Sequence, residues 1–513
     1  MSSDPRRRTR APALLVALAL VAGACAAADQ RFLTTKTPYQ PAQAAGSYRM
    51  SPKGYMPVYT QLVARHGTRG MTSMKDDLAL LNLCKLAAAE QALTPLGQAL
   101  LADIDRLIKA QALLGYGVEG IGKPGYANLS QIGIDEHRQL ALRMVRRLPG
   151  LFGPGDARRV TVQHSGVDRA RDSAYFFTQS LTRTVPSLAP LVDWPVLTGY
   201  PDNAPVAQAP GVNRFSLYFH KLTAGTDRVS DRADPHFVTY AQSQAYRAYL
   251  ASPELRAKLA EVRDDPRLAV AARTVLARLF AKDFVDRLAR GELRVANTGH
   301  VEALSADGKL RVQLDGEGKT VIATPVDALM ALSALYEIAP GLQRELGKDF
   351  NAYIPDAEAE LLARANDAED FYTKGPAGVE NGAATYAMAG QLLADFFDAA
   401  QAADGTRRAT FRFAHAETIV PFASLLGMPG SFKQVAAGQR YSYETNPWRG
   451  REVAPYAANV QWDSYRNADG RVLVRMLYNE KEADFKPACD GARFDAGSHF
   501  YDLALLRRCY YPG

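Results

Sequence analysis

Three β-forming runs lie far apart along the chain, and each reaches a histidine at its carboxyl end. They are residues 56–67 (MPVYTQLVARHG), 158–165 (RRVTVQHS) and 409–417 (ATFRFAHAE). Runs of Val, Tyr, Thr and Phe that stop at glycine or turn residues read as strands entering loops. A later run, RVLVRMLYNEKEADF (471–485), reads as one more strand. Between the early and late strands the pattern is helical. Residues 86–114 and 131–148 have helical composition and apolar spacing, and so has 382–402. Leu268, Ala272, Val275 and Leu279 follow the three-four spacing of an amphipathic helix, and VDALMALSALYEI (326–338) starts behind a proline. The stretch 291–325 interrupts the helices with DG and GEG turns, which predicts a small exposed hairpin. Strands at both ends around a helical block predict an α/β sheet flanked by helices, carrying an inserted, mostly α-helical domain. The expected boundaries are 51–184 and 376–513 for the α/β core and 185–375 for the cap. Ligands of such sheets bind beyond the carboxyl ends of the strands, where RHG and HAE both sit.

The first 25 residues read as an export signal rather than as structure. Arg6, Arg7, Arg8 and Arg10 precede the apolar stretch APALLVALALVAGA (11–24), too short to span a bilayer comfortably, and Cys25 follows directly. VAGAC resembles a lipoprotein signal, in which Cys25 is acylated after cleavage. Ala22 stands where leucine is usual, so cleavage after ACA (24–26) is the other outcome open to it. Arg6-Arg7 also suggests a twin-arginine route, without the full motif. The expected location is outside the cytoplasm: periplasm, outer-membrane lipoprotein or cell surface, or secreted. Residues 26–50, rich in Ala, Thr, Gln and Pro, read as a linker. The signal's arginines and Asp4 account for +3 of the formal +7, leaving +4 on the mature chain. That mild excess, with no basic-aromatic stripe, does not argue for nucleic acid and suits an acidic substrate.

Three further cysteines remain. Cys489 and Cys509 bracket a short C-terminal loop and are the expected disulfide, and Cys84 is the odd one, expected to be buried. No pair has zinc-ligand spacing, and the eight histidines are scattered. GYGVEG (115–120) and GVEGIGK (117–123) match dinucleotide and phosphate-loop patterns. Pro124 stands where the second needs Ser or Thr, and no strand precedes the first, so a Gly-rich loop is the better reading. There is no G-x-S-x-G elbow. His137, among charged residues on a helix, is expected to face solvent, and His164 ends a strand near the site. His220, His236, His300 and His499 read as structural.

The chemistry concentrates in Arg65-His66-Gly67-Thr68-Arg69, in Arg169 of DRARDSAYFF and in His415-Ala416-Glu417. Guanidiniums around a histidine repel metals and suit an anion. Several can hold a phosphate monoester by bidentate hydrogen bonds. A neutral imidazole nitrogen can attack phosphorus where an anionic nucleophile is repelled, and a carboxyl can protonate the leaving oxygen. Neither a metal nor a cofactor is needed. R-H-G-x-R alone occurs by chance; the order strand-RHGTR, then strand and R-x-x-x-S opening a helix, then strand-HAE-helix is far more specific.

With RHGTR at 65–69, HAE at 415–417, FYTKGP at 371–376 and VRMLYNE at 474–480, the chain resembles the histidine acid phosphatases, branch 2 of the histidine phosphatase superfamily. Among these it looks most like the multiple inositol polyphosphate phosphatases, whose bacterial members act as phytases. The resemblance runs in pieces from about 55 to 510 and is weakest across 185–325. It implies a phosphoglycerate-mutase-like sheet core, His66 as nucleophile, and Glu417 as proton donor. It also implies Arg65, Arg69, Arg169 and His415 as phosphate ligands, and inositol phosphates as substrates. Arg171 competes with Arg169, which is preferred because it sets the R-x-x-x-S spacing. Gly70 departs from the proline of many acid phosphatases. A broad-specificity acid phosphatase is the alternative enzyme. A tethered phosphate-binding protein is the alternative of another class, against which the carboxyl of Glu417 argues. The membrane enters only through an anchor on Cys25.

Overall fold

The computed structural model describes residues 32–44, 46–153, 155–193, 210–401 and 405–512; the expected leader, with Cys25, lies outside them. Its strands in chain order are β1 (Met56–Arg65), β2 (Arg159–His164), β3 (Val295–Ala296), β4 (His300–Leu304), β5 (Arg311–Asp315), β6 (Val321–Ile322), β7 (Arg407–Ala414), β8 (Asn459–Arg466), β9 (Val472–Tyr478), β10 (Lys481–Ala483) and β11 (Phe500–Asp502). A seven-stranded sheet runs in the order β10-β9-β8-β1-β7-β2, with β11 also paired to β9. β1, β7 and β2 are parallel, while β8 lies antiparallel to β1 and β9 antiparallel to β8. β1 is buried from Tyr59 onward and β7 from Arg408 onward, as strands covered on both faces must be. The predicted hairpin region appears as two small pairs, β3–β6 and β4–β5, apart from the sheet.

The helices begin where capping chemistry allows. The stretch expected as one helix over 86–114 is two, Asp76–Ala89 and Pro95–Ala112. Gln91 takes a left-handed φ of 57° between them, and the Thr94 side chain accepts from the Gly97 N–H to start the second. Thr324 and Asp327 form a capping box ahead of Pro325–Ile338. The helix expected over 382–402 is confined to Gly390–Gln401.

Leu268, Ala272, Val275 and Leu279 are all buried, in one apolar cluster with Leu78, Leu83, Leu100 and Ile104 of the first two helices. The helical body therefore draws on residues that sequence reading gave to the 51–184 core. Phe32 and Leu33 join the same cluster. The segment read as linker is thus packed over much of 32–39. Its threonines bond to carboxylates of the helical body: Thr34 Oγ1 donates to Glu337 at 3.0 Å and Thr35 Oγ1 to Asp370 at 3.0 Å. Cys489 and Cys509 form the expected disulfide, and Cys84 is free and buried. Among the described residues no helix is long and apolar enough to cross a membrane.

Candidate active site

Parallel pairing of β1 and β7 puts their carboxyl ends side by side, with Arg65 in register with Ala414. The next residues, His66 and His415, are therefore neighbours, and their rings lie 5.5 Å apart edge to face. The His66 N–H donates to Ala414 O at 2.9 Å, carrying the sheet pairing one residue further. β2 ends beside β7, and the helix Asp168–Thr184 follows with Arg169 in its first turn. His164 is buried at that strand end and accepts from the Gly166 N–H at 3.0 Å, shaping the turn that delivers Arg169. Glu417 opens the helix Ala416–Leu426.

His66 is buried, and its Nδ1 lies 3.0 Å from Gly67 O. A carbonyl only accepts, so Nδ1 carries the proton and Nε2 holds a lone pair. Burial, then the charges of Arg169, Arg65 and Arg69, hold the imidazole well below its ordinary pKa. That shift favours the neutral imidazole. Arg65 is fixed from three sides: one guanidinium nitrogen donates to Thr35 O and to Ala454 O, and the group stacks 4.4 Å over Tyr456. Arg169 is lowered to about 10 by burial and by Arg69 and Arg65, with Glu417 and Tyr218 pulling back. The Nε atoms of Arg65, Arg69 and Arg169 are all buried with no hydrogen-bond partner. Unpaired buried donors cost on the order of 1–3 kcal/mol each. Three of them beside one imidazole make a seat for an anion.

Arg171 turns away to Asp172 at 2.8 Å and Asp168 at 3.4 Å, whereas Arg169 reaches His415 Nδ1 at 3.4 Å. The serine of R-x-x-x-S has a visible purpose: Ser173 Oγ accepts from Gly67 N–H at 3.1 Å and donates to Arg169 O at 2.7 Å. His415 Nε2 pairs with Ser165 Oγ at 2.8 Å, so both its nitrogens are engaged and it orients Arg169 in this structure. The loop is seated on the helix Gln131–Arg147, where a Cβ on Gly67 would strike the Gly133 backbone and a Cβ on Gly133 would strike the Thr68 backbone. Glu136 takes the Thr68 N–H and hydroxyl, each at 2.7 Å, and the Tyr39 N–H at 2.7 Å. The next residue, His137, expected at the surface, is instead buried against Phe413, and burial pushes it down to about 3.

Glu417 is 38% exposed, with Lys374 Nζ 3.8 Å away. Burial alone raises its pKa, but neighbouring positive charge, Lys374 above all, outweighs this and holds it well below the usual carboxylate range. A cleft of about 900 Å³ opens beside Arg69, lined also by Lys36, Thr34, Arg263 and Asp370. The structure thus gathers all six sequence-derived residues, and adds Lys374, His220, Ser165, Ser173 and Tyr456. His220, read as structural, lies 5.7 Å ring to ring from His415. Lys374 lies in the FYTKGP segment and Ser173 is the serine of R-x-x-x-S; Ser165, His220 and Tyr456 carry no sequence signal of their own.

The model of the histidine phosphatase superfamily (branch 2) matches residues 328–479. The Bifidobacterium longum multiple inositol polyphosphate phosphatase, solved with inositol hexasulfate, is 31% identical, covering 94% of this chain and 97% of its own, with a TM-score of 0.79. The chain belongs to branch 2 of the histidine phosphatase superfamily. It is a phosphoric monoester hydrolase. The phosphate complex of the B. longum enzyme gives 32% identity over the same 94% and 97%, with a TM-score of 0.80. The D. castellii phytase shares the fold at 12% identity, covering 94% of this histidine phosphatase and 84% of its own chain, with a TM-score of 0.55. A search of curated proteins found no significant match.

Proposed function

We propose that this histidine phosphatase hydrolyses myo-inositol hexakisphosphate and lower inositol polyphosphates through a phosphohistidine on His66. The observation that carries the reading is the trio of buried, unpartnered guanidinium Nε groups around an imidazole whose Nδ1 is tied to Gly67 O. Arg65, Arg69 and Arg169 hold the scissile phosphate while His66 Nε2 attacks phosphorus in line. The ester P–O bond breaks as N–P forms, and Glu417 gives its proton to the departing ring oxygen. The Glu417 carboxylate then takes a proton from water, which attacks the phosphohistidine and releases phosphate. The guanidiniums offset charge in both transition states. The B. longum enzyme's name and bound inositol hexasulfate support the substrate class. The disulfide supports an oxidising compartment, in keeping with an exported chain that either carries lipid on Cys25 or is released.

The test is phosphate release from phytate with chelator present, by the parent and by His66→Ala. Metal-independent release by the parent, falling more than a thousandfold in a folded His66→Ala, is expected. Retained turnover in the variant rules out His66 as nucleophile. Phytate binding without turnover by the parent leaves a phosphate-binding protein instead. Intact mass of the mature N-terminus reads the anchor directly.

A further inference from the structure

Lys374 follows the helix Asp356–Thr373 and is largely buried, its side chain 16% exposed. Its Nζ sits 2.9 Å from Asp370 Oδ1 and 3.8 Å from Glu417 Oε1. Asp370 is fixed in turn by the Thr35 hydroxyl at 3.0 Å. One ammonium is thus shared by two carboxylates, anchored firmly on one and loosely on the other. The remaining groups facing Glu417 come from every element around it. They are Arg65 at the end of β1, Arg169 on the helix Asp168–Thr184, His220 in the turn Phe219–Lys221, His415 on its own connection, and Tyr246 on the helix Phe237–Leu250. Tyr246 is committed to Thr373 O at 2.9 Å. The two histidines are held neutral chiefly by burial, His220 at about 4 and His415 well below its ordinary value. Lys374 is the one cation within ion-pair distance of Glu417 among the described residues.

This creates a difficulty for a general acid. A carboxyl that must donate a proton is paired with an ammonium that favours its charged form. We infer that Lys374 couples substrate binding to protonation of Glu417: a non-scissile phosphate of a polyphosphorylated ring draws Lys374 away, and Glu417 then takes up the proton that it delivers to the leaving oxygen. The inference rests on the reading of Glu417 as proton donor. Lys374 is a positioning residue in it, with no bond made or broken at its nitrogen. The proton comes from solvent or from a phosphate monoanion and ends on the inositol hydroxyl. A substrate with a single phosphate has nothing to offer Lys374, so the arrangement favours rings with phosphates on neighbouring carbons.

The experiment compares pH profiles on phytate for the parent, Lys374→Met, Lys374→Arg and Asp370→Asn. The basic limb of kcat/KM reports Glu417 in the free enzyme, and that of kcat reports it in the complex. In the parent the kcat limb should lie about one unit or more above the kcat/KM limb, the size of effect an ion pair gives a carboxyl. Lys374→Met should close that gap by moving the kcat/KM limb upward, Lys374→Arg should keep it open, and Asp370→Asn should widen it. The variants at two sites, with opposite signs, keep the test decisive if either chain folds poorly. A raised KM with both limbs unmoved makes Lys374 a simple phosphate contact and overturns the coupling. Equal gaps in parent and Lys374→Met do the same. A parent that releases no phosphate from phytate fails the functional reading itself, a result separate from either of these.

Discussion

Gly133→Ala should damage this enzyme although it lies in a helix, where the exchange ordinarily gains about 1 kcal/mol. Gly133 is in the first turn of Gln131–Arg147, beneath the loop that carries His66 and Arg69. A Cβ there would stand 2.0 Å from Thr68 O and 2.6 Å from Thr68 N, against a floor of 3.0 Å for real contacts. Something must retreat by about 1 Å, and both partners are backbone. The loop cannot yield freely, because Thr68 N–H is held by Glu136 at 2.7 Å and Thr68 O by the Ser130 N–H at 2.9 Å. Overpacking of this kind costs about 1–3 kcal/mol, which cancels or exceeds the helix gain. Net stability should therefore fall by no more than about 2 kcal/mol, leaving a folded protein. Catalysis should suffer far more, since a displacement of about 1 Å in reacting groups costs roughly 10²-fold. Urea unfolding and initial rates of phosphate release from phytate and p-nitrophenyl phosphate measure the two quantities separately. A variant more stable than the parent, with rates within threefold, would refute the claim that this glycine seats the loop.

Glu417→Gln should lower single-turnover phosphorylation by phytate about 10²–10⁴-fold and by p-nitrophenyl phosphate much less, because only the inositol oxygen needs a proton to leave. Equal losses on both substrates would remove Glu417 as general acid. His137 stays neutral in the folded chain, near 3, but charges below about 6.5 when unfolded, so its share of stability is full above that pH and drains as pH falls. His137→Phe should therefore lose roughly 2 kcal/mol less than the parent between pH 7.5 and 5 in urea titrations, and identical losses would contradict this. Cys509→Ser opens a cross-link of sequence separation 20 and should cost about 3 kcal/mol by chemical denaturation, while leaving kcat close to the parent's. An unchanged denaturation midpoint would mean the bridge contributes nothing.

Strands that bury apolar residues on both faces were legible, and so was the site, because β1, β2 and β7 carry their chemistry at their ends. β8 was not. Its sequence, NVQWDSYR, buries Asn459, Gln461, Asp463 and Ser464 along with Val460 and Trp462. Hydrophobic periodicity cannot find a strand whose buried carboxylate is satisfied internally: Asp463 takes Thr60 at 2.8 Å, Arg147 at 3.2 Å and Arg475 at 3.0 Å. The same cause hid residues 32–39 inside an apparent linker, since Thr34 and Thr35 answer to carboxylates hundreds of positions away. His137 failed for the opposite reason. Arg138 beside it is solvent-accessible, and a helix places adjacent residues on different faces, so charged neighbours said little about it.

Thr60 on β1 and Asp463 on β8 are 403 residues apart, yet they share a hydrogen bond at the middle of the sheet. Closing a loop of that length from an open chain costs roughly 5 kcal/mol of entropy before any contact rewards it. Contacts of such high sequence separation make a fold slow to assemble. β1 leaves the ribosome early and waits without its neighbours until β7 and β8 follow. His66 and Arg65 therefore exist for most of synthesis without His415, Glu417 or the Ala454 carbonyl that braces Arg65. A chain still lacking its last hundred residues holds Arg65 and His66 without these partners. The cluster of Arg65, His66, His415 and Glu417 is complete only once β7 and the segment after it have paired with β1.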